Sequence, residues 1–205
     1  MKKVLLLLLT ILVIVVVYWL VFKKNRDTTE KPDRAAPLAM SNKSDVFNSA
    51  FNNLLATYYE MKDAFVDWDT AKINQTATLL KSLADSLPVN QLKADTTLIT
   101  MARNYSEGVS GEAVGIAGES DIAEKRKSFY TLSENLYELV RTVRYDGQVV
   151  YHQHCPMAFN DTEEAFWLSN KNEVVNPYLG NKHPKYKSGM LHCGDVTDSL
   201  DFRKR

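Results

Sequence analysis

Cysteine is scarce in this chain, with two residues in 205, Cys155 and Cys193, so one bridge is the most it can form within itself. An excess of either charge sign is lacking too. Lysine plus arginine equal aspartate plus glutamate at 25 each, and no face-length basic block breaks the balance, which removes the electrostatic footprint of a nucleic-acid binder. No self-similarity recurs at spacings of about 20–50 residues, so a solenoid or propeller is excluded. Low-complexity sequence is confined to the first 44 residues.

One long apolar run is present. Residues 4–22 are apolar apart from Thr10 and follow Lys2 and Lys3; at a rise of about 1.5 Å per residue they come close to spanning a hydrocarbon core of about 30 Å. A cleavable signal has an apolar region of about 7–15 residues followed by small residues, whereas Tyr18, Trp19 and Phe22 crowd the far end here. The run therefore reads as an uncleaved anchor over residues 1–24, and with no cysteine following it, lipid attachment at a processed N-terminal Cys is excluded. Lys23, Lys24 and Arg26 oppose Lys2 and Lys3, so charge does not fix the orientation. An anchor at the extreme N-terminus usually leaves a large C-terminal part outside the cytoplasm, an address compatible with paired cysteines. The expectation is a single pass through an inner membrane, with the globular part in the periplasm. Residues 25–44, polar and carrying Pro32 and Pro37, read as a flexible linker.

Residues 45–146 carry the periodicity of a helical bundle. Phe47, Phe51, Leu54, Leu55, Tyr58, Met61, Phe65 and Trp68 recur at spacings of three and four, one stripe of a helix. Asp69 and Thr70 are capping types ahead of a second periodic run, Ile73, Ala77, Leu80, Leu83, Ala84 and Leu87, which Pro88 ends. Leu92, Leu98, Ile99, Met101, Ala102 and Tyr105 suggest a third helix. Gly108, Gly111, Gly115 and Gly118 then intervene, each unfavourable by about 1 kcal/mol relative to alanine inside a helix, so residues 106–120 read as loop or broken helix. Ile122, Phe129, Leu132, Leu136, Leu139, Val140 and Val143 share a fourth face, bracketed by Ser120-Asp121 and Asp146-Gly147. The predicted fold class is mainly α: a membrane anchor, an antiparallel four-helix bundle, and a small loop- and β-rich C-terminal cassette over residues 147–205.

The cassette concentrates the soft side chains. Both cysteines, all four histidines (His152, His154, His183 and His192) and two of six methionines, Met157 and Met190, fall between positions 152 and 193. Thiolate and thioether sulfur together suit a soft cation such as Cu(I), and imidazole tolerates copper or zinc. In a strand Cys155 and Met157 would share a face while His152 and His154 point the other way. Met190 and Cys193, three apart, meet only across a turn, which Gly189 and Gly194 permit. Candidate metal ligands are therefore Cys155, Met157, Met190 and Cys193, with His192 or His154 able to replace a weak thioether. The competing reading is a Cys155–Cys193 disulfide, whose 37-residue intervening loop implies a stabilisation of about 3–4 kcal/mol. Phe159, Phe166 and Trp167 read as the cassette's core, Asn176-Pro177-Tyr178 with Gly180 as a turn fixing one half-site against the other, and Asp161, Glu163 and Glu164 as a solvated face or a helix start.

The series Cys155-Pro156-Met157-Ala158, Ala165-Phe166-Trp167-Leu168-Ser169, Val175-Asn176-Pro177-Tyr178-Leu179-Gly180 and Met190-Leu191-His192-Cys193-Gly194 resembles a domain family of unknown function in Gram-negative cell envelopes. That family occurs alone or fused to periplasmic adaptor subunits of heavy-metal efflux pumps. Asp121-Ile122, Arg126, Phe129 and Leu132-Ser133 are similar to its last helix, and the resemblance covers about residues 45–195. It implies a periplasmic helical domain associated with copper or related efflux, with the two sulfur segments as metal ligands. The stretch Asn181-Lys182-His183-Pro184-Lys185-Tyr186-Lys187-Ser188 looks like an insertion before Met190.

Three functions follow as expectations. The first is a membrane-tethered periplasmic protein that captures, delivers or senses a soft metal, Cu(I) above others, for an efflux adaptor or transporter. The second is a structural or protein-interaction module with a Cys155–Cys193 disulfide. A third, enzymatic reading would make Cys155 a nucleophile with His154 or His192 as base, but no third orienting residue accompanies them, and the chain is not expected to be an enzyme.

Overall fold

The computed structural model describes residues 44–203. The expected anchor over residues 1–24 and the linker over residues 25–44, save its last residue Ser44, lie outside the described residues, and among the described residues no helix is long and apolar enough to cross a membrane. Among the described residues four α-helices precede the strands: α1 (Asp45–Asp67), α2 (Thr70–Asp85), α3 (Thr96–Gly118) and α4 (Ile122–Val143), with a 3-10 turn at Val89–Gln91 between α2 and α3. Strands β1 (Val150–Phe159), β2 (Glu163–Ser169) and β3 (Asp195–Leu200) follow, so the mainly α class with a small β-bearing cassette is what the chain adopts.

Each helix starts on a side-chain cap, as the exposed N–H groups of a first turn require. Ser44 accepts from the Phe47 amide, Asp69 from Lys72, Asp95 from Leu98, and Asp121 from Ala123 and Glu124. The α1 stripe from Phe47 to Phe65 is buried as its spacing predicts. Trp68, assigned to the same stripe by periodicity, instead takes a left-handed conformation at φ 57° and closes α1. The turn to α2 is thus only Trp68 and Asp69, and α1 and α2 must fold back on each other.

The third helix corrects the sequence reading: it is unbroken from Thr96 to Gly118. Leu92 falls before it, at the end of the 3-10 turn. Two of the glycines bring α3 close to α4. A Cβ at Gly108 would lie 2.7 Å from the Asn135 side chain, and one at Gly115 would lie 3.3 Å from Ser128 Oγ. The loss in helix propensity is offset by close packing, and the pairing of 108 with 135 and 115 with 128 shows that α3 and α4 run antiparallel. On the far side of α4, Phe129 lies against Tyr58 and Phe65 of α1 at ring separations of 5.4 and 4.7 Å. Large side chains therefore bridge α1 and α4 and close the bundle.

The sheet is antiparallel in the order β2-β1-β3. Residues Asn160 and Asp161, both at positive φ (52° and 62°), make the β1–β2 hairpin turn, a conformation that Asn and Asp tolerate better than most side chains. Of the two readings of Asp161, Glu163 and Glu164, the solvated face is the one the structure has: all three are exposed at the hairpin and none starts a helix. Bundle and sheet lie in one compact unit. The buried Tyr58 hydroxyl joins them. It accepts from the Leu168 amide of β2 (2.9 Å) and pairs with Ser133 Oγ of α4 (2.7 Å).

Candidate metal centre

Cys155 sits on the central strand, opposite Ala165 of β2, and is completely buried. Pro156 follows and cannot donate to a ladder. The register slips accordingly: Cys155 pairs with Ala165, but the next pair is Phe159 with Glu163. The Cys-Pro-Met segment therefore occupies a bulge and not a regular strand, so simple alternation does not fix the direction of Met157. Met157 is half-buried against the core.

The second segment is a succession of tight turns. Amides of Gly189, Leu191 and Cys193 donate to the carbonyls of Tyr186, Ser188 and Met190 at 2.9, 3.2 and 3.0 Å. The last of these bonds closes one turn around Met190 and Cys193, the arrangement their spacing demands. Gly194 then runs at φ 132°, and a Cβ there would collide with the His154 carbonyl oxygen. Only glycine lets the chain press this closely against β1.

These two segments meet. Cys155 Sγ and Cys193 Sγ lie 3.4 Å apart across 38 positions of sequence, and both cysteines are free. Burial and the neighbouring Cys155 sulfur push the Cys193 thiol up to about 11. Met190, like Met157, is half-buried and packed against the core.

A buried polar network fixes this approach. Asn176, fully buried, donates from Nδ2 to the Cys193 carbonyl (2.9 Å) and from its amide to the Leu191 carbonyl (2.8 Å). Its Oδ1 accepts from Tyr178 and Leu179. One amide side chain thus ties the Asn-Pro-Tyr turn to the sulfur-bearing one. Gln153, also fully buried, accepts from Trp167 Nε1 (2.8 Å) and donates to the carbonyls of Lys171 and Glu173, both at 3.0 Å. Tyr178 packs its buried ring at an angle against Phe129, Phe159 and Trp167, so aromatic contacts join α4 to both hairpin strands.

The histidines disperse. His154 places Nδ1 3.1 Å from Asp195 and Nε2 3.0 Å from Glu164, engaging both ring nitrogens away from the sulfur pair. His152 stacks between Tyr137 (4.0 Å) and Phe166 (4.9 Å), with Nε2 2.9 Å from Glu134. His192 is exposed, with Nδ1 2.7 Å from the Val174 carbonyl. His183 packs against Tyr186 (5.1 Å) and against Trp68 at the end of α1 (6.0 Å), and Asp161 holds the 181–188 stretch through Lys185 and the Tyr186 hydroxyl. Among the described residues neither His154 nor His192 hydrogen-bonds Cys155. Among the described residues no three His, Cys, Asp or Glu side chains gather where they could hold an ion. The donors brought together are two thiols, with one thioether in each adjoining segment.

The sequence does not single out Gln153, gives Asn176 only as part of a turn fixing one half-site against the other, and gives Arg126 only through the resemblance; all three matter here. Gln153 and Asn176 carry the buried network, and Arg126 joins cassette to bundle. The Arg126 guanidinium lies 4.0 Å over the Trp68 ring and donates to the carbonyls of Pro177 (3.2 Å) and Phe65 (3.3 Å). Burial lowers its pKa to about 10, which leaves it charged at neutral pH. An arginine inside the apolar periodicity of α4 is the signal that marks it.

The architecture is thus a helical bundle bearing a sulfur-paired β-cassette. A family model, Protein of unknown function (DUF3347), matches residues 54–147, from the middle of α1 to just beyond α4. The Cys-Pro-Met and Met-x-x-Cys-Gly segments, included in the resemblance drawn from sequence, lie beyond the matched span. No curated protein and no solved structure matches the chain.

Proposed function

We propose that the cassette is a soft-metal site, with Cu(I) its preferred cargo. The chain would be a membrane-tethered periplasmic protein, held at an inner membrane by residues 4–22, that captures the ion for delivery to, or sensing by, an efflux adaptor or transporter. The observation that carries this reading is the 3.4 Å approach of Cys155 and Cys193, each adjoined by a methionine. Two thiolates with thioethers at hand form a donor set for a soft, low-coordinate ion. Zinc would take about four nitrogen or sulfur donors, and calcium six to eight oxygens.

The roles divide by position. Cys155 and Cys193 supply the thiolates, Met157 and Met190 stand as thioether donors, and His192 is the exposed imidazole nearest in sequence to Cys193. Asn176 and Gly194 hold the second segment against the first. Because the ion must displace thiol protons, and Cys193 holds its proton up to about pH 11, binding releases protons and affinity weakens as pH falls.

The test is anaerobic competition of the reduced full-length protein against a chromophoric Cu(I) chelator. One copper per chain is expected, with loss of binding in Cys155→Ser and in Cys193→Ser. Retention of copper by either variant, or no uptake by the wild type at micromolar competition, overturns the reading.

A further inference from the structure

The two cysteines differ sharply in access. Cys155 lies completely buried under the cassette's covering turns, while Cys193, at the end of its turn and ahead of β3, is partly exposed. Only one sulfur of the pair can meet a molecule arriving from solvent, and the second waits 3.4 Å behind it. Such an arrangement gives a thiol pair a defined order of reaction, because exchange requires in-line access to the attacked or attacking sulfur.

We infer that the pair is a thiol–disulfide exchange site in which Cys193 takes up an external disulfide and Cys155 resolves it, closing the metal site by oxidation. The Cys193 thiol loses its proton to solvent, and the thiolate attacks one sulfur of a small-molecule or protein disulfide, RSSR. A Cys193–SR mixed disulfide forms and one RS⁻ leaves. Cys155 then loses its proton and attacks Cys193 Sγ, forming the intrachain bond and expelling the second RS⁻. The two thiolates collect the two protons, so RSSR is reduced to two RSH while the cassette is oxidised by two electrons. The required movement is small, since a disulfide needs its sulfurs about 2.05 Å apart and the pair starts at 3.4 Å. Cys193 lies on a turn outside the strand ladder, which lets that side move toward the central strand.

The consequence for metal rests on the soft-metal reading, because an oxidised pair offers no thiolate to an ion. The exchange chemistry itself does not rest on it.

The experiment uses metal-free, reduced, full-length protein and glutathione disulfide as the probe, with acid quenching and intact-mass and peptide mass spectrometry. The wild type is expected to finish as an intrachain disulfide without retained glutathione, and early time points to show glutathione on Cys193 alone. Cys155→Ala is expected to stop at the Cys193 mixed disulfide, and Cys193→Ala to react at least tenfold more slowly than Cys155→Ala. Early glutathione on Cys155, or a wild type that stays a dithiol, overturns the proposal. The wild-type time course decides the order of reaction even if either variant misfolds. Because no metal is present, a failure here leaves the copper competition standing, and a failed competition leaves this result standing.

Discussion

The bundle and the cassette are held together by different physics. In the bundle, about a hundred residues bury aromatic and aliphatic stripes, and buried polar groups such as Thr76, Lys125 and Ser133 bond to carbonyls of the helices themselves. In the cassette, buried amide groups tie down the loops: Gln153 and Asn176 satisfy backbone groups of segments without regular secondary structure, and the Tyr178 hydroxyl donates to the Phe166 carbonyl of β2. Apolar burial tolerates substitution of one residue by another of similar volume. A buried hydrogen-bond network does not, because each missing partner strands another polar group out of water. The sulfur pair is thus positioned by the region that has the stricter demands.

Substitutions on either side should separate these two modes. Phe129→Ala removes a ring packed against Tyr58, Phe65 and Tyr178 and is expected to lower stability by about 3–5 kcal/mol, measured by urea unfolding. Thiol reactivity in the folded fraction should stay close to wild type. Asn176→Ala should show the opposite balance. A loss of about 1–3 kcal/mol is expected from its stranded partners, accompanied by faster alkylation of Cys193 as the turn loosens. If both variants shift thiol reactivity equally, the two regions are not distinct in the way described.

Gly111→Ala sharpens the comparison from within the bundle. A Cβ there meets nothing within 4 Å, so the gain in helix propensity should appear undiminished, about 1 kcal/mol more stable by urea unfolding. Gly108→Ala, which must displace Asn135, should gain less or lose. The smallest effect is expected at the seam. Burial, followed by the Arg126 charge, lowers the His183 pKa, so folding favours the neutral ring. That contribution is complete above the unfolded value of about 6.5 and is lost as pH falls below it. A His183 titration midpoint below 6.5, read by NMR, checks the sign.

The same contrast explains what could be read in the sequence. Apolar spacing placed the α1 and α4 stripes and their burial, because a helix repeats its environment every three or four residues. The glycines of α3 misled, since propensity records the isolated helix and not the neighbour that a missing Cβ admits. In the cassette, composition pointed to Cys155 and Cys193, and the fold brings them together. The bulge at Pro156, the hairpin at Asn160 and Asp161, and the clamp by Asn176 follow from long-range backbone partners that have no local period. His154 is a divided case: strand alternation already turns it away from Cys155, but Asp195 and Glu164, which hold its ring, come from the neighbouring strands and no local period points to them.

Arg126 carries one more implication. Its guanidinium is sealed beneath the cassette's proline turn and against the last turn of α1, with carbonyl oxygens and an indole face in place of a carboxylate. Peeling the cassette off the helices would bare that cation and leave the Pro177 oxygen without its donor. A protease nick near Gly147 should therefore yield two fragments that co-migrate as one particle until denaturant is added.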